Sequence, residues 1–153
     1  MKELKIQPIK NGSVIDHIPP GKALKVLRIL SLPKKDITSI ISAVMNVPSE
    51  TVGKKDIVKI EDKELDPDES DKVALIAPHA TVNIIRDYEV IEKHALSIPN
   101  ELVNIVRCPN PSCISNSNEP ISPRFKVISK RPPIKLRCYY CEREPADIEA
   151  QII

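Results

Sequence analysis

The sequence contains very little glycine and almost no aromatic residues. Of its 153 residues, 3 are Gly, 3 are Tyr, 1 is Phe and none is Trp. No glycine-rich phosphate loop is present, which excludes a P-loop or a Rossmann nucleotide site. Aromatic platforms on which single-stranded nucleic acid stacks would be hard to assemble from so few rings. The hydrophobic core must therefore be built from Ile, Val and Leu.

Long apolar runs and a strong net charge are also missing. No stretch approaches the roughly 20 apolar residues of a membrane span. The formal net charge is +2, so the chain as a whole is not drawn to nucleic acid. Nothing at the N-terminus resembles a secretory signal. We therefore expect no membrane partner, no nucleic-acid partner and a cytoplasmic location.

The four cysteines form two tight pairs. Four residues separate Cys108 from Cys113, two separate Cys138 from Cys141, and 24 lie between the pairs. Two such knuckles supply the four thiolates of a tetrahedral zinc site. Four cysteines close the coordination sphere, so the sequence predicts one structural zinc per chain and no open catalytic position.

Other interpretations of the cysteines remain open at this point. Two disulfides would fit an oxidising compartment, although the missing signal favours a reducing one. A redox pair at Cys138 and Cys141 lacks the strand and helix that normally accompany it. A small metalloenzyme would need an open metal position, and the chain offers no Ser or Cys nucleophile with a paired base.

The hydrophobic pattern predicts an α+β protein with two domains. Strands are expected over residues 2–9, 13–18, 37–47, 55–61, 81–85 and 88–93, with helices after Gly21 and after the capping signal Asp66–Glu69. This order is that of a ferredoxin-like sheet with two helices and one extra strand. The segment around 95–101 resembles a linker. We expect an N-terminal domain over 1–98 and a small β zinc-binding domain over 99–153.

Several polar residues interrupt strands that are otherwise apolar. They are Asp16, His17, Lys59, Asn83 and Lys93. If the strands pair as proposed, these side chains converge on the sheet face away from the helices. Lysines suit phosphates and an acid suits ribose hydroxyls, so the set fits a nucleotide. Periodicity alone favours the interpretation that these are ordinary solvent-facing residues on an open sheet.

Five segments together resemble the regulatory chain of aspartate carbamoyltransferase, and they occur in that family's order along nearly the whole chain. They are GSVIDHI at 12–18, GKKDIVKIE at 53–61, APHATVN at 77–83, YEV at 88–90 and VRCPNPSCI at 106–114. The resemblance implies a chain without activity of its own. It implies regulatory dimers that bridge two catalytic trimers, three dimers to each assembly, with CTP, UTP and ATP as effectors.

The resemblance also implies roles for individual residues. Asp16 and Lys59 would hold the ribose, and Lys59 would also reach a pyrimidine base. The phosphates would be met by Lys93, Asn83, His17 and the backbone near Val90. The base pocket would be lined by Ile9, Val14, Ile85 and the backbone near Tyr88. Zinc would be bound by Cys108, Cys113, Cys138 and Cys141, and Asn110 and Glu142 would face the catalytic chain.

Two positions depart from the family pattern. Pro8 stands where the family usually offers a backbone N–H near the base, and Ser112 replaces a common Asn in the first knuckle. Residues 145–153 match poorly, so no role is transferred to them. The alternative function is a zinc-ribbon nucleic-acid-binding protein, because basic residues lie near the knuckles. These are Arg107, Arg124, Lys126, Lys130, Arg131, Lys135 and Arg137.

Overall fold

The computed structural model describes residues 9–32, 39–50 and 53–153. The first unit, here called the sheet domain, contains β1 (Gly12–Ile18), α1 (Ala23–Ile29), β2 (Ile41–Ser49), β3 (Gly53–Glu61), α2 (Pro67–Ile76), β4 (Thr81–Arg86) and β5 (Glu89–Ala95). The second, here called the cysteine domain, contains β6 (Glu101–Val103), β7 (Arg124–Ser129), β8 (Lys135–Cys138) and α3 (Ile148–Gln151). A short 3-10 turn, Ile114–Asn116, lies between β6 and β7.

The five strands of the sheet domain pair in the order β2-β3-β1-β4-β5, with antiparallel neighbours. The first four strands have the ferredoxin-like order and β5 is the extra edge strand, which confirms the predicted fold. The strand expected over 37–47 is found as Ile41–Ser49. Apart from Ile9, the strand expected over 2–9 lies outside the described residues, as does Pro8.

The two helices of the sheet domain begin in different ways. At α2 the predicted capping box is present: Asp66 Oδ1 accepts from the Glu69 N–H at 2.8 Å, and the Asp66 N–H donates to Glu69 Oε1 at 3.2 Å. At α1 the N-cap residue makes no side-chain cap. Its role is filled by Asp56 of β3, whose buried Oδ2 accepts from the N–H groups of Gly21 and Ala23. A distant carboxylate thus fixes the turn that follows β1.

Two apolar clusters form the core of the molecule, and α2 contributes to both. Val73 and Ile76 pack in the sheet-domain cluster with residues such as Ile15 and Val58. Ala74 and Leu75, on the adjoining faces of the same helix, are buried in the cluster of the cysteine domain. Helix α2 is therefore a shared element, and the two domains meet along it.

The C-terminal segment also connects the two domains. Ile152 forms a β-bridge with Val106, and the Arg107 N–H donates to the Gln151 carbonyl at 2.8 Å. From α3, Glu149 reaches α1 and pairs with Lys22 at 3.1 Å and Lys25 at 2.6 Å. The sequence had supported no role for residues 145–153, so this connection was missed.

The connection between the domains is short. The Leu96 N–H still donates to the Ala80 carbonyl of the sheet domain, whereas the side chain of Ile98 packs in the second cluster. The described part of the chain contains no helix with the length and apolar character needed to cross a membrane.

Candidate metal centre and nucleotide site

The four cysteine sulfurs meet at one point of the cysteine domain. All four Sγ atoms lie within 4.8 Å of one another. Cys108 and Cys141 are 3.7 Å apart, and Cys113 and Cys138 are 3.6 Å apart. Four sulfurs around one zinc ion at about 2.3 Å stand about 3.8 Å from each other, so these spacings suit a tetrahedral ion. A disulfide would need about 2.05 Å, and all four cysteines are free.

Backbone hydrogen bonds shape the knuckles that carry the sulfurs. In the first, the Cys113 N–H donates to the Asn110 carbonyl at 3.0 Å, and Asn116 Nδ2 donates to the carbonyls of Cys108 and Asn110. In the second, the Glu142 N–H donates to the Cys138 carbonyl at 3.0 Å, and Glu142 adopts a positive φ of 62°. Both turns are closed by their own backbone, which leaves the sulfurs pointing inward.

The environment of the four cysteines favours binding of a cation. Burial raises the pKa of the Cys108 thiol to about 12. At Cys141 burial acts in the same direction but is outweighed by hydrogen bonds, first from the Arg143 backbone, which lower the pKa to about 7. Thiolates packed this closely repel one another, and a bound cation removes that repulsion and deprotonates the thiols. The residues therefore form a metal site with a closed ligand set.

The predicted nucleotide residues lie on the sheet face opposite the helices. In the register of the sheet, Val14 of β1 stands opposite Lys59 of β3 on one side and Asn83 of β4 on the other, and Asn83 stands opposite Lys93 of β5. The four residues form one row across four strands. With strands about 4.8 Å apart the row is about 14 Å long. The sheet thus brings together residues that are far apart in sequence.

Asn83 occupies the middle of this row with an unsatisfied polar atom. Its side-chain Oδ1 is buried and has no hydrogen-bond partner among the described residues. Leaving such an atom unpaired costs about 1–3 kcal/mol. A ligand group that donates to it would recover that energy.

The next row of the same face is apolar on β1, β4 and β5, and Glu61 of β3 continues it on the other side of Gly12. Gly12 of β1 stands opposite Ile85 of β4, and Ile85 stands opposite Val90 of β5. Ile9 is buried beside this end of β1, whereas Tyr88 lies in the β4–β5 turn with 66% of its surface exposed and its N–H bonded to the Lys10 carbonyl. Ile9, Ile85 and Tyr88, which were predicted to line the base pocket, thus lie near the N-terminal end of β1.

The opposite end of the face carries the acid and the imidazole. The strand register is broken after Ile15 of β1, and His17 has a φ of 59°. His17 Nδ1 lies 3.2 Å from Thr81 Oγ1. Asp16 pairs with Lys55 Nζ at 3.0 Å. Asp16 reaches the open face by ordinary alternation with Val14, and the contact with Thr81 brings His17 to the same face.

Sequence analysis missed Lys55 and Thr81. Lys55 lies on the same face of β3 as Lys59, four residues earlier, so strand periodicity alone places both lysines on that face. Thr81 had no such signal, because a threonine at the start of a strand is ordinary. Its contact with His17 depends on the pairing of β1 with β4.

The two residues expected to face a partner lie on the knuckles. Asn110 is half-buried, and its Oδ1 accepts from the Ser112 N–H at 3.1 Å. Glu142 is exposed. Ser112 thus contributes its backbone to the knuckle rather than its side chain.

The chain matches two family descriptions over most of its length. Residues 4–97 match "Aspartate carbamoyltransferase regulatory chain, allosteric domain", and residues 100–150 match "Aspartate carbamoyltransferase regulatory chain, metal binding domain". The two matches fall on the sheet domain and the cysteine domain respectively.

Relatives with the name "Aspartate carbamoyltransferase regulatory chain" are similar along the whole chain. The Thermococcus gammatolerans protein is 57% identical over 143 residues, which is 94% of this chain and 93% of the relative. The protein of Methanothrix thermoacetophila is 55% identical over 142 residues, which is 93% of this chain and 91% of the relative. The protein of Methanothermobacter thermautotrophicus is 54% identical over 151 residues, which is 97% of this chain and 95% of the relative.

Proposed function

The chain belongs to the aspartate carbamoyltransferase regulatory-chain family, and from that premise we propose that it binds nucleoside triphosphates on the open sheet face and signals their presence to catalytic chains held by the cysteine domain. It is a regulatory, non-catalytic chain with an allosteric domain and a metal-binding domain. The proposal concerns what it binds, through which residues, and in what assembly.

The observation that carries the proposal is the row of Lys59, Val14, Asn83 and Lys93 across the sheet. Two lysines flank a buried amide oxygen that has no partner within the described structure. An extended anionic ligand with hydroxyl or amino donors satisfies both features. CTP, UTP and ATP are such ligands.

Different residues of the face are assigned to the three parts of the ligand. We assign the base to the apolar residues Ile9, Val14 and Ile85 and the backbone near Tyr88. The ribose falls to Asp16 and Lys59. The phosphates fall to Lys93, Asn83, His17 and the backbone near Val90.

The metal is proposed to be zinc, one ion per chain. A buried set of four thiolates at tetrahedral spacing is the ligand set that zinc prefers in structural sites. No fifth position is needed, so the ion acts on the fold alone. Metal analysis of the purified chain should find one equivalent of zinc.

The assembly is proposed to contain two catalytic trimers bridged by three regulatory dimers, in the cytoplasm, where thiols stay reduced. Dimers would form through the sheet domain, over residues 1–98, and the catalytic chain would bind the cysteine domain, over 99–153. Asn110 and Glu142 would lie in that contact. An effector shifts such an assembly only by its different affinity for two states, typically by about 1–3 kcal/mol.

The test is the aspartate-saturation curve of the cognate catalytic trimer, with and without this zinc-loaded chain, with CTP and ATP added in turn. We expect a sigmoidal or nucleotide-sensitive curve only when the chain is present. A curve that the chain leaves unchanged, together with separate elution of the two proteins, would contradict the proposal.

A matched pair of lysine variants tests the site itself. Lys93→Ala should weaken the CTP effect while the assembly stays intact. Lys54→Ala is the control, because Lys54 is an exposed lysine of β3 that lies outside the row. Equal CTP affinity in the Lys93 variant and the wild type would remove Lys93 from the site.

A further inference from the structure

The hairpin between β4 and β5 has an unusual backbone. Arg86 pairs with Glu89, so the loop consists of only two residues, Asp87 and Tyr88. Both are left-handed, with φ angles of 50° and 67°. This is the geometry of a type I′ turn, which prefers glycine at its second position because glycine accepts a positive φ without strain. A bulky side chain rarely adopts a positive φ, so the hairpin needs support from outside itself.

The segment that leads into β1 supplies this support. The Asp87 N–H donates to Asn11 Oδ1 at 3.2 Å, and the Tyr88 N–H donates to the Lys10 carbonyl at 2.9 Å. Both amide groups of the loop are thus bonded to two consecutive residues that precede β1. These bonds hold the loop against β1 and favour its left-handed conformation.

Asn11 also holds a second turn. Its carbonyl accepts from the Asp62 N–H at 2.9 Å, and Asp62, which follows β3, is left-handed with a φ of 58°. Of the eight non-glycine residues with positive φ in the described ranges, three donate to Lys10 or Asn11. Strained residues of this kind persist only where the surrounding structure fixes them, and they gather at functional sites. Asn11, which is half-buried, therefore links the end of β3 to the β4–β5 hairpin.

The position of Asn11 depends on the glycine that follows it. Gly12 has a φ of 144°, and a Cβ atom there would overlap the carbonyl oxygen of Ile60 in β3. Only glycine allows so close an approach of two backbones. On its other side Gly12 pairs with Ile85 of β4. The backbone of Asn11 is therefore fixed between β3 and β4, within reach of the turns that follow both strands.

The supported hairpin lies where the base of the nucleotide is assigned. Ile85 precedes the loop in β4, and the Tyr88 backbone belongs to the loop itself. A shift of the loop would move the Tyr88 backbone relative to a base that rests on Ile85. A loop that is already fixed in its bound conformation binds more tightly, because less ordering is required on binding.

We propose that Asn11 is a positioning residue of the nucleotide site: its side chain fixes the β4–β5 hairpin, so that the Tyr88 backbone is presented to the base of a nucleoside triphosphate. The inference rests on the proposed function, since it concerns the same site. Asn11 acts through Asp87, and it needs no contact of its own with the nucleotide.

The experiment measures the CTP affinity of the full-length, metal-loaded chain by calorimetry. Asn11→Ala removes the acceptor of the Asp87 N–H and should weaken CTP binding about three- to tenfold, the range expected for loss of one hydrogen bond. Hydrogen exchange of the Asp87 amide should become faster in the same variant. The control Asn118→Ala removes an exposed amide of the cysteine domain and should bind CTP like the wild type.

A second background separates positioning from direct contact with the ligand. Asp87→Asn/Tyr88→Gly gives the loop the Asn-Gly sequence, which favours a type I′ turn without outside support. In that background, Asn11→Ala should change the CTP affinity by less than about twofold, because the two sites are coupled through the turn. An equal loss of affinity in both backgrounds would mean that Asn11 contacts the nucleotide directly, and the positioning role would be wrong.

The outcomes distinguish this inference from the proposed function. If the wild-type chain binds no CTP, the proposed function fails. If the wild type binds CTP and Asn11→Ala binds it equally well, only the positioning role fails. A lower melting temperature of Asn11→Ala with unchanged CTP affinity would show a role in stability alone, which also contradicts the inference.

Discussion

In the sheet domain, five strands and two helices bury an aliphatic cluster built from Ile, Val, Leu and Ala. In the cysteine domain the strands are fewer and shorter, and Cys108, Cys113 and Cys138 are themselves part of the buried cluster, around the single Phe125. A domain of this size has too little apolar surface to fold on its own, and a metal supplies the missing stability. The two domains therefore depend on different kinds of interaction.

Removal of the metal should give the largest difference in stability between the two domains. Binding of zinc to a structural site is worth roughly 10–16 kcal/mol, which is folding energy. Chelation, or Cys113→Ala, should unfold the cysteine domain and leave the amide protection of β1, β3 and β4 in place, as measured by hydrogen exchange. In the proposed assembly, the catalytic trimers should then be released.

The control for that variant is Ser115→Ala. Ser115 Oγ lies 3.2 Å from Cys113 Sγ but supplies no thiolate. The control should keep its metal and assemble. A fully assembled Cys113→Ala holoenzyme would show that the domain does not need all four ligands.

Truncation of one core residue in each domain would show whether the core and the metal stabilise the cysteine domain together. Phe125→Ala should cost about 3–5 kcal/mol and Ile15→Ala about 2–5 kcal/mol, since both side chains are fully buried. Only Phe125→Ala should lower the metal affinity, because Phe125 stands opposite Cys138 in the β7–β8 ladder. Competition with a chromogenic chelator measures this. Equal metal affinity in the two variants would mean that the metal site is independent of the core around it.

The ion pairs of Glu149 should give the smallest effect. Burial raises the pKa of Glu149, but hydrogen bonds from Lys25 and Lys22 outweigh it, so the folded-state pKa lies below the ordinary value of 4.5. The ion pairs of Glu149 therefore contribute their full stabilisation at pH values above 4.5. That stabilisation is lost as the pH falls through the lowered pKa. Glu149→Gln should cost under about 1 kcal/mol, since the pairs are partly exposed.

Thermal unfolding of the Glu149 variant from neutral pH down to about pH 3 measures this contribution. The difference from the wild type should vanish at the acid end. A difference that stays constant over the whole pH range would assign the effect to packing of α3 rather than to charge.

Local signals in the sequence predicted much of this molecule. The alternation of Val58 and Ile60 with Lys59 identified β3 and its two faces, and Asp66 with Glu69 identified the start of α2. The spacing of the cysteines predicted the metal cluster, because ligand geometry is encoded within each short knuckle. Such features depend on residues that are close together in the chain.

Contacts between distant segments could not be predicted in this way. The hydrogen bonds that Asp56 accepts from the N–H groups at the start of α1 need the β1–β3 pairing, and the contact of Glu149 with Lys22 crosses 127 residues. The segment that carries Glu149 has no strong periodicity. The resemblance to a family suggested residue roles, but the sheet register is what relates Lys59, Asn83 and Lys93 to one another.

The shared helix α2 has a mechanical consequence. Successive residues of a helix point about 100° apart, so Val73 and Leu75 face different cores from one axis. The helix cannot turn about that axis without withdrawing a side chain from one of the two cores. A rotation of α2 against the sheet would therefore also change how Ala74 and Leu75 pack in the cysteine domain.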